Sequence, residues 1–355
     1  MTLELKLFDD FERTDTDSDN FKVVHYHFLN NSAVPEAERA RKKIEEWSDG
    51  FLLKPEFLNK FRSKNNKQHT AALFELFIFH YFKKRGYLIK NIDVAGTPTP
   101  DFIIEAENGP IYIECTCSSN SNIEESIDTM QAVILDSLKK LDKQNNFVNI
   151  EWLAHSYVTP SERKIRFLIK QYINEVARPP YLQIEESGWI IRITIIPGRS
   201  EIKRGIGVIK YPAAIVTPHL NVLTALKDKR PSRYNIAGPY IIALYSEDMH
   251  LDYLDMDLAL FNGASFQDKL PINRVKDQSF FIGQTGLINT SVSGVLLVQR
   301  LPVYGDGEAR MMLWHHPEPK YPLSPNDFTM HQKTYQRQDE KTFKITDLLE
   351  KDPNR

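Results

Sequence analysis

The stretch Pro100-Asp101-Phe102-Ile103-Ile104-Glu105-Ala106-Glu107-Asn108-Gly109-Pro110-Ile111-Tyr112-Ile113-Glu114-Cys115-Thr116 constrains this chain more than any other. Two alternating runs flank Asn-Gly, a strong hairpin signal because a type I′ turn needs positive φ at both central residues. With Asn108-Gly109 as the loop, Glu105 faces Tyr112, Ile103 faces Glu114 and Asp101 faces Thr116. One face then collects Phe102, Ile104, Ala106, Ile111, Ile113 and Cys115. The other collects Asp101, Ile103, Glu105, Glu107, Tyr112, Glu114 and Thr116. A one-residue slip would scramble that sorting. Asp101 and Glu114 become diagonal neighbours, with backbones ~7–8 Å apart and carboxylates able to converge. Two carboxylates about 5 Å apart repel by roughly 3 kcal/mol at an effective dielectric near 20, so a proton, a base or a cation must offset them. Oxygen ligands of this kind suit Mg²⁺ or Mn²⁺.

A third acid lies upstream. Residues His69 to Arg85 are apolar nearly all round, with Thr70 as expected N-cap and Gly86 just past the end, which predicts a buried helix. Glu75 sits inside it, and an ionised Glu on an apolar face is costly unless paired or metal-bound. Short strands follow near 87–94, 101–107 and 110–117, then an amphipathic helix over 123–144 and a strand over 148–155. This order predicts a mixed α/β fold: a lead-in over 1–68, a core over 69–158, an α/β extension over 159–325 and a peripheral polar tail over 326–355. Pro179-Pro180 is the best candidate boundary within the later part.

Composition narrows the function classes. Lys and Arg number 45 against 47 Asp and Glu, a net charge of −2, so any phosphate-binding surface must be local. The two cysteines, Cys115 and Cys117, form no disulfide framework and lack the second pair of a zinc site. There is no basic-then-apolar leader and no apolar run of ~18 residues, which leads us to expect a cytoplasmic protein without membrane contact. Gly205-Ile206-Gly207 lacks the third glycine of a dinucleotide loop, and no Walker A motif or Gly-x-Ser-x-Gly elbow occurs. His315-His316 reads as packing at a strand end.

On Glu75, Pro100-Asp101 and Glu114, the sequence resembles the PD-(D/E)xK nuclease superfamily, whose restriction-endonuclease-like core is an αβββαβ unit. The resemblance extends to a bacterial branch through Ala71-Ala72-Leu73-Phe74-Glu75-Leu76, Ala225-Leu226-Lys227-Asp228-Lys229 with Arg233-Tyr234, and Pro239-Tyr240-Ile241-Ile242-Ala243-Leu244. Ser293-Gly294-Val295-Leu296 and His315-His316-Pro317 add to it. It implies Glu75, Asp101 and Glu114 as ligands of Mg²⁺ or Mn²⁺, a catalytic site completed by Thr116, and nucleic acid, above all DNA, as substrate. Thr116 stands where the superfamily places a lysine, so Glu-Cys-Thr replaces Glu-x-Lys. Thr116 brings no positive charge, and losing one preorganised stabiliser typically costs ~10²–10³ in rate. Gln131, Lys139, Lys140 and Lys143 on the 123–144 helix are candidates to substitute or to contact phosphate. Arg163-Lys164-Arg166, Lys203-Arg204 and Lys227/Lys229/Arg230/Arg233 are further basic clusters. Two readings follow: a metal-dependent endonuclease, or a catalytically impaired nuclease fold that binds nucleic acid or protein. The 159–325 segment is long enough for a recognition domain, a homodimer interface or an elaboration of the core sheet.

Overall fold

The computed structural model describes residues 5–16, 24–91, 99–118, 122–143, 146–197, 206–210, 217–229, 234, 236–248, 250–263, 269–271, 279–305, 307–339 and 342–349. Helices α1 (His25–Asn31), α2 (Pro35–Trp47), α3 (Pro55–Phe61) and α4 (Asn66–Lys84) come first. Pro35 and Pro55 open their helices at the position where a missing N–H costs nothing. The cap of α4 is Asn65 rather than Thr70: its side chain accepts from the Lys67 N–H at 2.9 Å. At the other end Gly86 takes φ +84°, as the sequence predicts. The helix is apolar all round because α2 and α3 pack on one side of it and the sheet on the other.

Strands β1 (Leu88–Asn91), β2 (Phe102–Ala106) and β3 (Gly109–Ser118) form an antiparallel meander. The hairpin register is two residues off the predicted one: Glu105 pairs with Pro110, Ile103 with Tyr112 and Phe102 with Ile113. The loop is Glu107-Asn108, and positive φ falls at Gly109 alone in this turn (+115°), so the type I′ turn is not used. The Asn108 side chain instead donates to Asp327 at 3.0 Å. A shift of two preserves the faces, and Cys115 lies in the apolar layer with Phe102 and Ile113, as expected.

The chain then divides differently from the sequence reading. Residues 16–23 and 120–216 make one compact unit, and 1–15, 24–119 and 217–355 make the other. The smaller unit holds α5 (Asn122–Lys139), β4 (Asn146–Ala154), α6 (Glu162–Asn174), β5 (Leu182–Glu186), β6 (Trp189–Pro197) and β7 (Ile206–Lys210), with sheet order β5-β6-β4-β7. Pro179-Pro180 is a loop inside it, held by the Tyr172 hydroxyl donating to the Pro179 carbonyl at 2.8 Å, and not a boundary.

The larger unit resumes with α7 (Pro218–Lys227), β8 (Tyr240–Ser246), α8 (Tyr253–Phe261), β9 (Lys269–Pro271), β10 (Ile282–Gly283), β11 (Gly286–Leu287), β12 (Gly294–Gln299), β13 (Arg310–His315), β14 (His331–Arg337) and β15 (Thr342–Leu348). Its nine-stranded sheet runs β1-β2-β3-β8-β12-β13-β14-β15-β9. The parallel neighbour of β3 is therefore β8, reached through α7, and the 123–144 helix and 148–155 strand do not complete the core predicted over 69–158. Burial explains the choice. A central parallel strand must be apolar on both faces, and β8 is buried at every position, whereas β4 alternates like a strand covered on one side. The tail after residue 326 is not peripheral either, since β14 pairs parallel with β13 and β15 antiparallel with β14. Two of its buried polar residues are held by partners: Gln332 lies 2.8 Å from His315 and Lys333 lies 2.7 Å from Asp257.

One sheet face packs Ile104, Ile113, Ala243 and Leu296 under α4; the other packs Tyr240, Ile242, Leu297 and Trp314 with residues of α7 and α8. Among the described residues, no helix is long and apolar enough to cross a membrane.

Candidate active site

Where β2 begins, a gap in the ladder creates the site. The strand starts at Phe102, so the Cys115 N–H has no backbone partner there, and Asp101 Oδ2 accepts it at 2.7 Å. Continuing the register one step past Phe102 and Ile113 sets Asp101 opposite Glu114. Asp101 is thus a direct partner of Glu114, not a diagonal one, and Thr116 is not its partner. Thr116 follows Glu114 on the same face of β3, beside Leu244 of β8.

Glu114 is only 3% exposed. Its Oε1 accepts from Lys229 Nζ at 2.5 Å, while its Oε2 is buried without a hydrogen-bond partner. Lys229 stands just past the end of α7, where its N–H donates to the Leu226 carbonyl at 3.1 Å and its own carbonyl accepts from the buried Tyr240 hydroxyl at 3.0 Å. Helix end and central strand together fix this lysine. On α4, Glu75 Oε1 lies 3.7 Å from Lys60 Nζ, which α3 carries in its last turn.

Electrostatics tie these groups into one cluster. Burial raises the Asp101 carboxyl well above the usual carboxylate range, and the charges of Glu75 and Glu114 raise it further, against the opposing Cys115 N–H. Burial also raises Glu75, with Lys60 and Lys229 pulling it down. For Lys229, burial works against the ammonium, but the charge and hydrogen bond of Glu114 outweigh it and the net shift is upward. Burial and the Glu114 carboxylate push the Tyr234 phenol up to about 12. Glu75, Asp101, Glu114 and Lys229 therefore share one field.

Lys229 was missed as a site residue by reasoning from spacing. The superfamily pattern directs attention two residues past Glu114, whereas the ammonium arrives from 115 residues away. The available signal was the basic run Lys227-Asp228-Lys229 closing an apolar helix, read only as a phosphate-contact cluster. The lysine candidates from the 123–144 helix do not share the acids' unit. Gln131, Lys139, Lys140 and Lys143 belong to the smaller unit, where Gln131 is buried, Lys139 lies 3.7 Å from Asp136, and Lys143 donates to the Lys139 carbonyl at 3.2 Å. In the same unit Lys164 is paired with Glu186 and Arg166 with Glu162. Lys203, Arg204, Arg230 and Arg233 lie outside the described residues. His315 and His316 are held down to about 4 by burial and bonded to Gln332 and to the Ile288 carbonyl, so they pack rather than ligate.

The cluster offers the kind of donor atom that a hard divalent cation takes. These donors are carboxylate oxygens and a hydroxyl, and the partnerless buried Oε2 of Glu114 is an acceptor that a cation or its water would satisfy. Among the described residues, no group of three or more His, Cys, Asp and Glu side chains is placed to hold a metal ion. Asp101 and Glu114 stand opposite each other across the hairpin, and the charge of Glu75 is felt by Asp101 and that of Glu114 by Glu75. Comparison with protein-family models, curated proteins and solved structures gives no match to this chain.

Proposed function

We propose that this protein is a metal-dependent phosphodiesterase acting on nucleic acid, in the first place a DNA endonuclease, on a core of the PD-(D/E)xK type. The observation that carries the reading is the Lys229 ammonium on Glu114, beside Asp101 and Glu75. It brings to the acids the positive charge that Thr116 lacks. The element order supports it too: α4, β1, β2, β3, α7 and β8 run helix–three strands–helix–strand, the order of that core, once the 120–216 unit is set aside.

Asp101, Glu114 and Glu75 would hold Mg²⁺ or Mn²⁺. When bound there, such a cation polarises a phosphoryl oxygen and lowers the pKa of a water. Lys229 balances negative charge growing on the phosphoryl group, from a position fixed before substrate arrives. Thr116, on the Glu114 face, accepts or donates a hydrogen bond to the attacking water. The water oxygen forms a bond to phosphorus, one P–O ester bond breaks, and the products are a phosphomonoester and a hydroxyl.

The test is cleavage of plasmid and linear DNA, and of RNA, with Mg²⁺ or Mn²⁺ and with EDTA. Metal-dependent cleavage that disappears in Asp101→Ala and Glu114→Ala supports the reading; wild-type protein that binds DNA but never cuts any nucleic acid overturns it. That second outcome is the binding-module reading. It is favoured by the lysine partner that Glu75 and Glu114 each already have.

A further inference from the structure

Two lysines meet the acids, and they are held differently. Lys229 is locked: its side chain is 33% exposed, its contact with Glu114 is 2.5 Å, and Tyr240 pins its backbone. Lys60 is loose: its side chain is 56% exposed and its nitrogen stands 3.7 Å from Glu75, beyond a normal hydrogen bond. A surface ammonium in such a pair gains little from it, because solvent screens the attraction and a long side chain must be ordered. An exposed cation beside a mostly buried carboxylate is free to exchange that partner for a stronger anion.

We propose that Lys60 is a substrate-backbone contact: when a nucleic-acid strand enters the site, the ammonium leaves Glu75 and binds a phosphate flanking the one at the acids. The inference rests on the nuclease reading and names a residue to which nothing in the sequence pattern draws attention. It divides the work of the two lysines. Lys229 acts on the reacting phosphoryl group, and Lys60 acts on affinity and alignment. Releasing Glu75 would also free that carboxylate to serve as the third ligand, so strand entry and completion of the ligand set would be linked. The α3 position suits the role, since Lys60 sits in the last turn of a short helix whose buried Phe57, Leu58 and Phe61 anchor it in the core under α4.

The experiment measures metal-free binding of a fluorescein-labelled DNA duplex across a salt series, with Lys60→Met, Lys60→Arg, Glu75→Gln and the Lys60→Met/Glu75→Gln double variant. Lys42→Met, an exposed pair partner of Glu38 on α2, is the control. Each phosphate neutralised adds about −0.9 to the slope of log K against log salt. We expect Lys60→Met to reduce the slope by about one and Lys60→Arg to restore it. Glu75→Gln should tighten binding by unmasking Lys60, and the double variant should lose that gain. In cleavage assays Lys60→Met should raise KM more than it lowers kcat. An unchanged slope in Lys60→Met, or a Glu75→Gln gain that persists without Lys60, overturns the proposal. Because the binding arm needs no turnover, a protein that fails to cut DNA yet shows the Lys60-dependent slope sinks the nuclease reading and keeps the contact. A protein that cuts with no Lys60 dependence does the reverse.

Discussion

Two buried carboxylates, each paired with a lysine, lie against the same face of the large sheet, and they are built to opposite specifications. Asp257 on α8 uses both oxygens: Oδ1 accepts from Trp314 Nε1 at 2.9 Å and Oδ2 from Lys333 Nζ at 2.7 Å. Glu114 uses one, with Lys229, and leaves the other buried and unpartnered. A fully satisfied pair is a structural rivet, costly to break and with nothing left over for chemistry. An under-satisfied one keeps acceptor capacity inside a low-dielectric site, which a fold does not retain for stability. The difference separates architecture from candidate function without reference to any motif.

Substitution should break the two pairs in different currencies, and the largest effect falls on activity. Glu114→Gln and Asp101→Ala should abolish metal-dependent cleavage while leaving the circular-dichroism spectrum native; Asp257→Ala should cost about 3–5 kcal/mol in urea unfolding, as expected for an orphaned buried partner, and leave the turnover of the folded fraction. Comparable cleavage loss in a folded Asp257→Ala would erase the distinction. Next in size, Lys229→Met should lower kcat by about 10²–10³. In that background Thr116→Lys should recover much of the rate. In the wild type the same change should slow it, since two ammonium groups would compete for Glu114.

A smaller effect concerns pH. Asp101 has a folded-state pKa raised by burial and by Glu75 and Glu114, so between its ordinary value near 4 and its raised one the native state binds more protons than the unfolded chain. Stability from this group is therefore present at the acid end and is lost as pH rises through that window. Asp101→Asn should raise Tm at neutral pH by a few degrees, at roughly 2–4 °C per kcal/mol, with the gain vanishing toward pH 4. Mn²⁺ should raise the wild-type Tm at neutral pH and leave Asp101→Asn nearly unmoved. The smallest effect is chemical: Cys115, buried and with its thiol pushed well up, should resist thiol reagents until the protein unfolds.

Local elements were legible in the sequence because local pattern determines them. The buried helix ending at Gly86 and the sorting of the hairpin faces both follow from periodicity and turn residues. The hairpin register slipped by two because two registers of the same parity sort the side chains equally well. A long-range bond from Asn108 to Asp327, invisible in the local sequence, accompanies the register adopted. The identity of the fourth core strand was also illegible in chain order, since β4 comes first and is equally strand-like. Only its half-buried alternation, set against the wholly buried β8, separates them. Of the candidate site, the acids were readable from local spacing, while the partners that lysines provide from α3 and from beyond α7 were not.

The interruption between β3 and α7 also sets an order of events during synthesis. At roughly 5–20 residues per second, the 115 residues separating Glu114 from Lys229 take about 6–23 s to emerge. Through that interval the β1–β3 meander has an open edge where β8 will dock, and its acids have no ammonium from α7. A ribosome-bound or truncated chain lacking residues past 216 therefore carries a sheet without its centre and carboxylates without Lys229. The acid–lysine cluster is therefore completed only with the return of the chain, so on the proposed nuclease reading unfinished copies would lack the assembled site.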